Sequence, residues 1–170
     1  MKISKLKYIA TLLLMAQLAS VHSQDYKKSV KIRPVDNYGL SFKQLTGFEN
    51  GYEISLSKIE YGYRLGALRV FQKPAWPLKS DKLFFCYGYG VHLSAGDGYD
   101  IYNPFKPFSK PRKYNRTYLS AGLDGYAGLE YRLLKHPLTL NLDYVPNFEF
   151  FGPAYFRSNH VLAAGISVVF

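Results

Sequence analysis

A single cysteine, Cys86, stands in a chain of 170 residues. That excludes an intramolecular disulfide, and without a second thiol there is no basis for a zinc or haem-attachment motif. Cys86 reads instead as a small residue packed inside a sheet. Long hydrophobic runs are also missing. The largely apolar stretch Tyr8–Val21 is shorter than the ~18 residues of a spanning helix, and no other segment approaches that length, which excludes a helical inner-membrane protein. No cysteine follows this stretch, so a lipoprotein precursor is excluded too. Ala, Leu and Glu do not dominate as they would in a helical bundle. Acidic residues are few, 12 against 22 Lys and Arg, for a formal charge of +10.

Aromatic residues are abundant, with 16 Tyr and 12 Phe, a composition that favours strands. The hydrophobic content of 48% suffices for a packed or lipid-facing surface, and no internal break in composition divides the chain, so one domain is expected. The first residues carry Lys2, Lys5 and Lys7, then the apolar stretch, then small or neutral residues ending at Ser23 before Gln24. This order predicts a secretory signal peptide over 1–23 and a mature domain over 24–170. Removing three lysines leaves 19 basic residues against 12 acidic, about +7, so part of the high pI belongs to the signal.

From residue 29 onward the sequence alternates apolar and polar residues between clusters of Pro, Gly, Asn and Asp. Over 117–134, Leu119, Ala121, Leu123, Ala127, Leu129, Tyr131 and Leu133 fall on one face of an extended chain. Ser120, Gly122, Asp124, Tyr126, Gly128, Glu130 and Arg132 fall on the other. The pattern repeats over 137–148, with Lys135-His136-Pro137 as the turn between the two strands. Strands are likewise predicted at 83–95, 61–73, 51–58, 38–45, 29–34 and 158–170, with a bulge at Leu68–Val70 where the phase is lost.

Alternation alone does not say which face is outside, because a soluble ligand-binding barrel has the same period. The polar face is rich in glycine (Gly39, Gly62, Gly66, Gly88, Gly90, Gly122, Gly128, Gly165), which suits a narrow interior. Its charges nearly cancel, Lys31, Arg33, Lys43, Arg64 and Arg132 standing against Glu53, Asp124, Glu130 and Asp143. A buried lumen demands such balance, since an unpaired interior charge costs several kcal/mol. Lys43, Glu53, Arg64, Asp124, Glu130, Arg132 and Asp143 are accordingly the expected lumenal charge network. The apolar face carries tyrosines toward the strand ends, as the aromatic girdle of a membrane barrel does.

The pattern therefore predicts an all-β fold: a closed, antiparallel, up-and-down transmembrane β-barrel of about eight strands. Counting the weak segment 29–34 gives the even strand number that keeps both chain ends on the periplasmic side. Links at 46–50 and 134–137 then fall inside and loops at 96–116 and 149–157 outside. Such a barrel is filled by its own side chains rather than forming an open pore.

The 96–116 segment contains Lys106, Lys110, Arg112, Lys113 and Arg116 interleaved with aromatics, a candidate anion-binding loop for lipid phosphates or an acidic glycan. A solvated loop without a dedicated ligand has the same composition. Nucleic acid would use the same chemistry, but export from the cytoplasm argues against it. Nothing in the sequence calls for a cofactor or a metal.

The strand motifs Tyr38-Gly-Leu-Ser-Phe-Lys, Tyr87-Gly-Tyr-Gly-Val-His-Leu, Gly122–Leu133 and Leu140-Asn-Leu-Asp-Tyr-Val-Pro resemble the small outer-membrane barrels common in Bacteroidota, similar in architecture to the OmpX and OmpW groups. The final Leu162, Ala164, Ile166, Val168 and Phe170 resemble the signal by which such barrels reach their insertion machinery. The resemblance implies a Gram-negative outer-membrane location, contact with outer-membrane lipid and lipopolysaccharide, and no assigned activity. A non-enzymatic structural or surface-interaction role is expected, with a protein partner left open. An accessory subunit of a secretion or uptake complex is one alternative.

A lipid A deacylase-like enzyme is the other alternative. His92-Leu93-Ser94 resembles the His-x-Ser spacing of those enzymes, and in a strand both side chains share one face. The asparagine usual after that serine is replaced by Ala95, only Asp97 and Asp100 follow as carboxylates, and the strand phase turns His92 and Ser94 inward. His160 beside Ser158 is a weaker pair.

Overall fold

Each predicted strand segment corresponds to one strand of the computed structural model, which describes residues 26–34, 39–75, 82–101, 110, 112–133, 136–152 and 156–170. The predicted signal peptide lies outside these residues. The strands are β1 (Lys28–Arg33), β2 (Gly39–Leu45), β3 (Asn50–Ile59), β4 (Gly62–Pro74), β5 (Leu83–Ile101), β6 (Arg112–Leu133), β7 (Leu138–Phe151) and β8 (Arg157–Val169). Each pairs antiparallel with the next, and β8 returns to β1, so the eight strands close into a meander barrel. The seam runs from Ser29↔Val169 to Ile32↔Ile166, and Lys28 and Phe170 exchange both backbone hydrogen bonds at 2.9 Å. Closure leaves the sheet without a free edge along the barrel wall.

The meander puts the first described residues, Phe170, the 46–49 turn and the 136–137 turn at one end, called here the termini end. The 60–61 turn, Ile101, Arg112, Phe151 and Arg157 lie at the opposite end. Alternation holds around the wall. In β7, Thr139, Asn141, Asp143, Asn147 and Glu149 are buried while Leu140, Leu142, Tyr144 and Phe148 are exposed.

Three expectations are corrected. No bulge occurs at Leu68–Val70; β4 pairs with β5 in unbroken register from Gly62↔Gly96 to Pro74↔Phe84. The apparent loss of phase comes from Leu68 and Val70 pointing inward, where they pack with Cys86 and Tyr126. Their partners across the ladder are Gly90 and Gly88, whose missing side chains leave the room.

Second, much of the expected 96–116 loop is strand. Asp97↔Thr117, Tyr99↔Tyr114, Asp100↔Lys113 and Ile101↔Arg112 are paired, and the register slips where Gly98 alone faces Asn115 and Arg116. Gly98 there takes φ 89°, a left-handed conformation open to glycine. Third, the expected 149–157 loop begins later, because β7 continues to Phe151. A slip between Ala121↔Phe151 and Gly122↔Glu149 leaves Phe150 as the extra residue, so that Glu149 faces inward while Phe150 and Phe151 are both exposed.

A β-carbon on Gly90 would lie 2.7 Å from Leu68 Cδ2 and against the Ala67 carbonyl. Gly90→Ala is therefore expected to destabilise the barrel by about 1–3 kcal/mol through overpacking, read as a lower urea midpoint of the detergent-folded chain.

Candidate functional site

The barrel interior gathers five cations, Lys31, Arg33, Lys43, Arg64 and Arg132, and five carboxylates, Glu53, Asp124, Glu130, Asp143 and Glu149, into three tiers. Near mid-height, β1 supplies Lys31 and Arg33, β3 supplies Glu53 and β7 supplies Asp143. Lys31 Nζ donates to Asp143 Oδ2 at 2.9 Å and to Glu53 Oε2 at 3.2 Å. Arg33 spans the same two carboxylates, Nε to Asp143 at 3.0 Å and an Nη to Glu53 at 2.9 Å. The Tyr126 hydroxyl donates to the remaining Asp143 oxygen at 2.8 Å, and its ring lies 5.5 Å from Lys31 Nζ. Two cations on two carboxylates make this knot electrically neutral. A β-carbon on Gly128 would sit 2.8 Å from that hydroxyl and 3.0 Å from Asp143 Oδ1, so the glycine makes room for the knot.

Toward the termini end, Glu130 is the hub. It accepts from Lys43 Nζ at 2.6 Å, from Arg132 Nε at 3.0 Å and from the Tyr26 hydroxyl, which lies 2.8 Å from both carboxylate oxygens. Arg132 is stacked between Phe84, 3.6 Å from the ring centre, and Tyr26 at 4.8 Å. Tyr26 precedes β1, and burial pushes its phenol pKa upward, so the hydroxyl stays a donor to Glu130. The long stems and rings of this tier fill the lumen beside the chain termini.

The third tier lies toward the opposite end. Asp124 accepts from His92 Nδ1 at 2.7 Å, and His92 Nε2 is 3.7 Å from Glu149 Oε1. Arg64 joins Glu149 at 3.0 Å and donates through Nε to Ser94 Oγ at 3.1 Å. The His92-x-Ser94 pair thus faces inward and is buried. Ser94 Oγ is engaged by a guanidinium, which cannot act as a general base at neutral pH.

All seven residues of the expected charge network face this lumen, but they do not form one cluster. Glu53 and Asp143 share the central knot, Lys43, Glu130 and Arg132 the termini-end tier, and Arg64 and Asp124 the third. Sequence reading missed Tyr26 and Glu149, and it left Lys31 and Arg33, though read onto the polar face, out of the network. Tyr26 precedes the first periodic segment, and Glu149 was assigned to a loop because the Phe150 bulge hides its phase. Its place two residues after buried Asn147 was the available signal.

Of the candidate anion-binding residues, Lys110, Arg112, Lys113 and Arg116 are exposed, and Lys106 lies outside the described residues. β4 ends its pairing with β5 at Gly96, and β7 ends its pairing with β6 at Ala121. Beyond those points β5 and β6 continue as a two-stranded ribbon of roughly 15 Å, at ~3.3 Å per residue. Arg112, Lys113 and Arg116 sit on this ribbon, and Lys110 precedes its β6 strand. Of the terminal motif, Leu162, Ala164, Ile166 and Phe170 are exposed on the outer face and Val168 is half-buried there. Among the described residues, no group of three or more His, Cys, Asp or Glu is arranged to hold a metal ion.

No protein-family model, curated protein or solved structure matches the chain. The class it belongs to is defined by geometry: an eight-stranded, closed antiparallel barrel with an ionised, side-chain-filled lumen and an apolar outer wall.

Replacing Glu53 with alanine strands Lys31 and Arg33 beside Asp143 alone, and a loss of about 3–5 kcal/mol is expected in urea unfolding. Combining Glu53→Met with Lys31→Met, which leaves Arg33 paired with Asp143, should recover at least half of that loss.

Proposed function

We propose that the chain is an integral outer-membrane β-barrel protein, exported by residues 1–23, with a non-enzymatic role at the cell surface carried by its basic ribbon. The observation that carries this reading is the inversion of polarity across the wall. Outward-facing Leu40, Ile54, Leu65, Leu93 and Leu162 are each more than half exposed, whereas inward-facing Lys31, Glu53 and Asp143 are 1% exposed or less. A water-soluble monomer rarely exposes so large a continuous apolar surface, and hydrocarbon is the environment that suits it.

The outer wall is also banded. Leu40, Ile54, Leu65, Val91, Leu93, Leu123, Leu142 and Leu162 make a mainly aliphatic belt, with Phe42 and Tyr144 paired into it beside Ile54 and Leu162, between two groups of rings. Tyr52, Phe71, Phe85, Tyr87, Tyr89, Tyr131 and Phe170 ring the termini end, and Tyr63, Phe148, Phe150, Phe151 and Phe156 ring the other. Phe156 closes the second group by lying 6.0 Å from Phe148 and 5.9 Å from Phe150. Aromatic girdles around an apolar belt suit two membrane interfaces. β3 through β8 run 10 to 22 residues, at or above the ~9–11 needed to cross.

In this reading the termini end is periplasmic and the β5–β6 ribbon projects outward with Lys110, Arg112, Lys113 and Arg116. The surface contact it would make is electrostatic, with phosphates of lipopolysaccharide or an acidic partner, at about 1 kcal/mol per cation near an anionic surface. The architecture agrees with the resemblance to OmpX-like and OmpW-like small barrels of Gram-negative bacteria.

Expressed in a Gram-negative host, the chain should fractionate with outer membranes, begin at Gln24 by mass analysis, and show a heat-dependent shift in gel mobility. A folded monomer that stays monodisperse in plain buffer without surfactant would overturn the membrane reading. Alanine at Lys110, Arg112, Lys113 and Arg116 together should weaken lipopolysaccharide binding at low salt and flatten its salt dependence. Unchanged binding would reduce the ribbon to a solvated hairpin.

A further inference from the structure

One cation on the outer wall stands apart from the lumenal network. Arg69 occupies an outward position of β4, in phase with Leu65, Ala67 and Phe71, where alternation calls for an apolar residue. Its guanidinium carbon lies 4.3 Å from the centre of the Tyr52 ring and 5.6 Å from that of Phe71. One Nη donates to Asn50 Oδ1 at 3.1 Å, which draws the group toward the 46–49 turn. Among the described residues, no carboxylate lies within ion-pair distance of it.

The level matters. Arg69 pairs across the ladders with Tyr52 and Tyr89, in the ring of aromatics at the termini end. Long cationic side chains are tolerated on a lipid-facing wall at that depth because the head reaches the headgroup layer while the stem stays among hydrocarbon. On its termini-end side lies a continuous patch of rings, with Phe71 5.4 Å from Tyr87 and Tyr87 6.0 Å from Phe85, which pairs across the ladder with Lys73. Lys73, exposed on the same face two outward positions further along, adds positive charge on the aqueous side. An arginine fork with one donor on Asn50 and its planar face on two rings retains donors for a phosphate, which it can engage in bidentate fashion.

We propose that Arg69, held by Asn50, Tyr52 and Phe71, is the headgroup site for an anionic glycerophospholipid in the leaflet at the termini end. The guanidinium takes the phosphodiester, the outward face of Tyr89, Ala67 and Leu65 toward mid-wall takes the upper acyl chain, and the absence of a paired carboxylate together with Lys73 favours a net negative headgroup over a zwitterionic one. This rests on the membrane reading above. The site lies at the opposite end of the barrel from the basic ribbon and does not involve it.

The test uses the mature chain folded in a zwitterionic detergent, with native mass spectrometry read after titration of phosphatidylglycerol, phosphatidylcholine or inorganic phosphate. Phosphatidylglycerol adducts are expected at several times the level of phosphatidylcholine adducts, with inorganic phosphate at background. Arg69→Leu should lower phosphatidylglycerol binding at least threefold, to the phosphatidylcholine level, whereas Lys58→Ala, at an exposed cation near the other end of β3, leaves it unchanged. Leucine suits a lipid-facing position, so the variant should fold, and its heat-dependent gel shift verifies this. Equal binding of the two lipids by the wild type, full binding by folded Arg69→Leu, or phosphate adducts matching those of the lipid would each overturn the site. Any of these results would leave the membrane reading standing, because that fails only if the chain is a folded monomer without detergent.

Discussion

Closing a small sheet on itself removes a column of polar side chains from bulk water, and the neutrality of that column is the constraint on which the rest of the structure depends. The central knot meets it with two cations and two carboxylates, Lys31 and Arg33 on Glu53 and Asp143. β1 and β7 are not neighbours in the sheet, so the Lys31 and Arg33 contacts to Asp143 tie strands across the lumen as well as along the wall. A buried ion pair contributes little net stability over a hydrophobic core of the same volume, but losing one partner is costly. The network thus penalises any strand register that would misplace one of its members.

Packing around the knot follows from glycine. Gly128 lies against the Tyr126 hydroxyl and Asp143, while Gly88 and Gly90 stand opposite Val70 and Leu68. Large inward residues are answered by absent side chains on adjoining strands, so the interior fills without pushing the wall apart. Cys86 belongs to this packing, buried beside Leu68, Val70 and Tyr126. With mid-height and termini end occupied by ion pairs and rings, the described lumen is packed like a core, and among the described residues the outer wall and the β5–β6 ribbon are open to other molecules.

Those surfaces differ in chemistry. The ribbon carries cations in the open, where their attraction for anions is long-ranged and salt-sensitive. Arg69 sits on the wall among rings, where a single guanidinium gains directional contacts in less polar surroundings. The His92 and Ser94 pair, the stronger of the two His and Ser pairs in the sequence, is turned into the lumen and tied to Asp124 and Arg64.

Strand number, the meander order and the polarity of each face were legible in the sequence, because period-two alternation is a local property of an extended backbone and survives wherever one face is buried. The charge balance of the polar face pointed the same way, and all seven expected network residues do face the lumen. Partner choice was not legible. Which carboxylate Lys31 or Lys43 meets is decided across the lumen, by closure and stagger of the whole sheet, and not by neighbours in the chain. Local breaks in phase misled for the same reason: Leu68 and Val70 look out of step until Gly88 and Gly90 are seen opposite them, and Glu149 looks like a loop residue until Phe150 bulges. Arg69 shows the limit most plainly, since only the packed wall brings Tyr52 and Phe71 from two strands under one guanidinium.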